Sequence, residues 1–148
     1  MKLTFMKLTF DKAQCFTLPD KFYQLINAEL SAITGTELPP YSNPQAIVLS
    51  FRDPEYSADS GGFHPVEMRL SKHNHHYQLI YITDFTFHGC SHAELVKEID
   101  VCFHAKQVYH LYGGWLNKQE SDELIELFIG NFIEYHAMGV YTIEITFE

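Results

Sequence analysis

The chain has 148 residues, 46% apolar and 15% aromatic, which excludes a disordered polypeptide because enough apolar surface is present to offset the entropy of ordering. Ten Lys and Arg stand against 19 Asp and Glu, so the formal charge of −9 repels phosphate backbones and anionic lipid and argues against nucleic acid and membrane partners. A core at this length buries roughly two thirds of the unfolded surface, and a single domain over residues 1–148 is expected.

The chain opens with Met1-Lys2-Leu3-Thr4-Phe5 and repeats it as Met6-Lys7-Leu8-Thr9-Phe10, a duplication too short to be a structural unit. Lys7, Asp11 and Lys12 interrupt any apolar run, so no leader or membrane span is expected. Cys15, Cys90 and Cys102 are odd in number and far apart, which fits a reducing, cytoplasmic setting. Nine histidines lower the net charge as the pH falls from about 7 to 5, so association is expected to rise in that window.

Phe22, Leu25, Ile26, Leu30 and Ile33 recur at helical spacing after Pro19 and Asp20, with Gly35 placed to stop the run. Loops are expected at Pro39 to Pro44 and Asp53 to Gly62. Ile47, Leu49 and Phe51 alternate with polar or small neighbours, as do Val66, Met68 and Leu70, and Tyr77 to Phe87 reads as a longer strand. Asn74 and its histidine neighbours form the turn of a hairpin. Ala93 to Asp100 reads as a short helix or turn, and Val101 to Leu116 stays unassigned because Gly113-Gly114 breaks any pattern. Ser121 to Met138 is helical again, with acids in its first turn and Gly139 at its end, and Tyr141, Ile143, Ile145 and Phe147 form a closing strand. Short antiparallel connections with helices near both ends give an α+β fold.

The second helix carries apolar residues over more than half its circumference, including Leu124, Leu127, Ile129, Phe132 and Ile133. One sheet does not cover such an arc. Either the first helix or the unassigned segment covers the excess, or the helix forms a homo-oligomer interface centred on Leu127, Ile129 and Ile133. Its polar strip is acidic, and no Lys or Arg follows Lys118, whereas Glu120, Asp122, Glu123, Glu126, Glu134, Glu144 and Glu148 do. Glu123, Glu126 and Glu134 are therefore the expected docking residues for a basic protein partner.

Catalytic motifs are not evident: there is no Gly-x-Ser-x-Gly elbow, phosphate loop or His-Glu-x-x-His. His73, His75 and His76 with His88, Cys90 and His92 hold enough nitrogen and sulfur for zinc, but their spacing matches no closed site, so no metal and no cofactor are expected. Glu67 and Arg69 fall on the polar face of their strand and Arg52-Asp53 ends the preceding one, so Arg52 and Arg69 could converge on an anion, although cross-strand ion pairing accounts for the same residues more simply. Glu29 falls within the apolar arc of the first helix, as an edge residue or a buried acid.

Phe51-Arg52-Asp53, Tyr56-Ser57, Gly61-Gly62-Phe63-His64-Pro65-Val66-Glu67, Thr83-Asp84-Phe85, and Asn131-Phe132 through Gly139-Val140-Tyr141 resemble a small bacterial family of unknown function. That family occurs in vibrios and related marine bacteria, partly on mobile or pathogenicity-island DNA. The resemblance spans roughly Ala46 to Phe147 and is most specific from Gly61 to Glu67. The family is similar in fold to the mitochondrial acidic matrix proteins, known also as receptors for the globular heads of a complement recognition protein. This implies a twisted antiparallel sheet flanked by N-terminal and C-terminal helices, self-association and varied protein partners. No catalytic residue transfers. This chain is shorter and less acidic than those proteins. The function expected is a non-enzymatic, self-associating acidic interaction module; the alternative is a small metal-dependent or anion-binding enzyme using the His/Cys-rich loops or Arg52 and Arg69.

Overall fold

The computed structural model describes residues 7–33 and 44–148. Gly35, most of the Pro39 to Pro44 loop and the first copy of the N-terminal repeat lie outside them. Seven strands form one antiparallel sheet: β1 (Ala46–Arg52), β2 (Val66–His73), β3 (His76–His88), β4 (Glu94–Cys102), β5 (Gln107–His110), β6 (Gly114–Trp115) and β7 (Thr142–Phe147). Their order, β6-β5-β4-β3-β2-β1-β7, is a meander whose last strand returns beside the first. Helices α1 (Asp20–Ser31) and α2 (Lys118–Ala137) complete an α+β fold. No helix among the described residues is long and apolar enough to cross a membrane.

Local chemistry fixes the register. Asn74 and His75 both take positive φ, 49° and 68°, the two-residue turn whose twist matches that of flanking strands, and His73 pairs with His76 across it. Asn117 begins α2 with a capping box: its Oδ1 accepts from the Glu120 amide at 2.8 Å, while Glu120 Oε1 accepts from the Asn117 amide at 3.0 Å. The helix thus starts at Lys118, three residues before the expected Ser121. Gly139, at φ 75°, ends it in the left-handed conformation that glycine adopts most easily.

The segment expected to be a short helix or turn, Ala93 to Asp100, is instead mostly β4, hydrogen-bonded between β3 and β5. Its alternation is hidden because Asp84 pairs with Ile99 and Phe85 with Lys97, leaving Glu98 as an inserted residue that shifts the period. Part of the unassigned segment after Val101 forms β5 and β6, with Gly114 at φ 68° admitting the turn into β6.

Both helices belong to the same core as the inward side chains of the sheet. Phe132 joins the layers: its ring lies 4.9 Å from Phe51 of β1, 6.2 Å from Phe22 of α1 and 5.6 Å from Tyr141, which precedes β7. Beside it, Glu29 of α1 and His136 of α2 meet at 2.6 Å, so Glu29 is a half-buried bridge between helices and not a free edge carboxylate.

The wide apolar arc of α2 is consumed within the chain. Ile125, Phe128 and Phe132 enter the core, Tyr135 meets Phe63 at 4.6 Å, and Ile129 borders the segment from Cys15 to Pro19. Of the expected oligomer interface, this packing removes Ile129. Ile129 is 1% exposed and Ile133 is half-buried against the core, so of the three residues only Leu127, 61% exposed, presents a large surface.

Truncating Phe132→Ala should cost about 3–5 kcal/mol in urea unfolding, because it empties the contact between both helices and β1. Ile129→Glu should unfold the chain, while Leu127→Glu should change stability by no more than about 0.5 kcal/mol. An Ile129→Glu variant that keeps its unfolding midpoint and changes only its oligomeric state would contradict this packing.

Candidate functional site

The loop between β1 and β2 is held by one side chain. Asp53 Oδ1 accepts from the Glu55 amide at 2.9 Å and its Oδ2 from the Phe63 amide at 3.0 Å, drawing the outgoing and returning chain together. A Cβ at Gly62 would lie 2.9 Å from Asp53 Oδ2 and 3.0 Å from Tyr56 Cα, and φ there is 131°, so this approach requires glycine. Tyr56 fixes the loop to β3 by accepting from the Phe87 amide at 3.0 Å, and its ring lies 5.2 Å from that of His64. Pro65 restricts His64 to extended backbone, and its carbonyl accepts from the Phe85 amide at 2.9 Å.

His64 is thereby delivered to two carboxylates. Asp84 pairs with Val66 and Ile99, both buried, and so lies on the sheet face that meets the helices. Glu98 is the residue inserted at the β3–β4 bulge, a device that re-aims a side chain which regular pleating would point elsewhere. His64 Nδ1 lies 3.0 Å from Asp84 Oδ1 and 2.8 Å from Glu98 Oε2. The hydrogen bond to Asp84, with the charges of both acids, raises the His64 pKa above its ordinary value against the opposing effect of burial. Burial raises the pKa of Asp84 as well, outweighing the pull of the imidazole.

Above this floor is a cleft of about 340 Å³ walled by Phe63, Leu124, Leu127, Phe128, Tyr135 and Tyr141, with no Lys or Arg among the described lining residues. Burial pushes the Tyr141 phenol up, so it stays neutral as a wall residue. An acidic floor under aromatic walls suits a cation.

The sequence-expected sites lie elsewhere. Glu123, Glu126 and Glu134 are exposed on the outer strip of α2. The two histidine groups do not meet: His73, His75 and His76 sit at one end of the 13-residue β3, and His88, Cys90 and His92 at the other, a separation of roughly 40 Å along an extended strand. Arg69 pairs with Glu148 at 2.9 Å, and Glu67 accepts from the Tyr81 hydroxyl. Arg69 lies opposite Val48, whereas Arg52 is four residues further along β1, so the two arginines do not converge on one anion. The trio His64, Asp84 and Glu98 was missed. His64 and Asp84 fall within the stretches that carry the family resemblance, but Glu98 lies in the segment whose sequence alone reads as a short helix or turn.

A family profile described as "Protein of unknown function (DUF2787)" matches residues 20–146. Among solved structures, a hypothetical protein of the VSP-II pathogenicity island of Vibrio cholerae is 34% identical, with a TM-score of 0.84, and the match covers 96% of this chain and 100% of that one. A conserved hypothetical protein from pathogenicity island VPI-2 of Vibrio cholerae is 30% identical with a TM-score of 0.76, over 91% of this chain and 98% of that one. The latter is described as sharing structural homology with the human P32 protein. No curated protein matches.

In chelator-treated protein, His64 should titrate above the ordinary histidine value of about 6.5 by NMR, and Asp84→Asn should lower its pKa. Because the folded value is the higher one, stability from this group is full below about pH 6.5 and lost as pH rises through the folded pKa. A His64 pKa unchanged by Asp84→Asn would contradict the geometry.

Proposed function

We propose that this chain, which belongs to the DUF2787 family of proteins of unknown function, is a non-enzymatic binding module that receives a basic protein partner on the outer strip of α2. The observation that carries this reading is how the seven carboxylates after Lys118 are employed. Glu120 closes the capping box, Asp122 pairs with Lys118 at 2.8 Å, and Glu148 pairs with Arg69. Glu144 on β7 and Glu123, Glu126 and Glu134 on α2 make no ion pair among the described residues, so the unpaired acids of α2 are these three, of which Glu123 accepts only a neutral hydrogen bond, from Gln119 at 3.2 Å. The helix dipole favours acids in the first turn but not at Glu126 or Glu134.

The strip has a shape suited to docking. Leu127 stands exposed between Glu123 and Glu134, and Gly130 leaves open space where a side chain would project. A partner can therefore bury one leucine at the centre while its cations meet the surrounding acids. Apolar contact supplies affinity, and the charges supply encounter rate and rejection of acidic competitors. The resemblance to acidic matrix proteins that bind varied protein partners points the same way.

Binding of an octalysine peptide, followed by stopped-flow fluorescence, should weaken steeply between about 50 mM and about 500 mM salt as the exposed charges are screened. Changing Glu123, Glu126 and Glu134 together to Gln should lower the association rate about tenfold without shifting the unfolding midpoint. Binding that survives both the triple change and high salt would exclude this strip.

A further inference from the structure

At the cleft floor, two carboxylates face the His64 imidazole, and the further group whose positive charge reaches Asp84 is a second imidazole, His110. Asp84 is 9% exposed, and the lining contains neither Lys nor Arg among the described residues. With a neutral imidazole the trio carries two negative charges, and with a protonated one it still carries one. Removing such charge from water is costly without a partner.

The way the acids converge indicates the partner. Both oxygens approach the same atom, His64 Nδ1, at 3.0 and 2.8 Å, and all three potential ligand atoms lie within 4.8 Å of one another. An ion about 2.1 Å from each donor would see these nitrogen–oxygen separations at angles of about 84–91°, which is compatible with the cis positions of a six-coordinate ion. One nitrogen and two carboxylates form a donor set suited to a borderline-hard ion.

We propose that His64, Asp84 and Glu98 form a three-ligand site for a first-row divalent cation of the Mn²⁺ class, its remaining positions opening into the cleft. The ion takes the place of the Nδ1 proton, which leaves to solvent, and two carboxylates with a neutral imidazole then balance its double charge. The ligands come from the 53–65 loop, from β3 and from the β4 bulge, so the ion fastens that loop to the sheet. Burial already disfavours the ionised form of Asp84, and a bound cation offsets that cost.

The test uses protein without a histidine tag, stripped with chelator and titrated with substoichiometric Mn²⁺ in ¹⁵N NMR. Line broadening should centre on His64, Asp84 and Glu98, with a rise in Tm as metal is added. Glu98→Gln and Asp84→Asn should each weaken Mn²⁺ binding by at least about tenfold. Should Asp84→Asn fail to fold, Glu98→Gln decides, because Glu98 lies nearer solvent at the bulge. Broadening centred on His73 to His76 or on His88 to His92 would overturn the site. So would an affinity unchanged by Glu98→Gln.

Discussion

The structure depends on the seating of α2 against the sheet through Phe132. That ring touches β1, α1 and Tyr141 at once, so the two helices and the strand pair β1–β7 are ordered by one packing event. Fully burying such an aromatic side chain contributes about 1.5–3 kcal/mol, before the further loss from the cavity that its removal leaves. The Glu29–His136 bridge then sets the last turn of α2 against α1.

This seating also determines what remains outside. With the sheet below, the Cys15 to Pro19 segment on one side and Phe63 on the other, the apolar arc of α2 is used up except at Leu127. The outer strip is left to acids that the fold does not itself employ. On the Tyr135 side, the helix stands over the end of the sheet where the bulge turns Glu98 inward, which makes a cleft with an acidic floor. The strip and the cleft share Leu127 on their common border.

The elements legible in the sequence were those with an unbroken period. The alternation of Ile47, Leu49 and Phe51, and of Val66, Met68 and Leu70, is matched by burial of all six residues, and the helical spacing of Phe22, Leu25, Ile26 and Leu30 by burial of all four. β4 was not legible because one inserted residue at Glu98 shifts its phase, and such a bulge is defined by pairing with another strand. The same residue explains why the cleft was missed: Glu98 joins His64 and Asp84 only through a non-local register. Ile129 was misplaced for a related reason, since a helical wheel shows the width of an apolar arc but not how many neighbours the chain folds around it. The acidic strip needed no tertiary information, because a run without Lys or Arg is visible as composition.

The central functional claim is that the outer strip of α2 is the docking surface, and the most direct measurement is chemical-shift mapping of ¹⁵N-labelled protein with a short basic peptide. Saturable shifts confined to residues 123–134 and the adjoining cleft rim are the expected result. Shifts centred instead on the outer face of the sheet, around Glu67, Tyr81 and Glu144, with α2 unmoved, would contradict it.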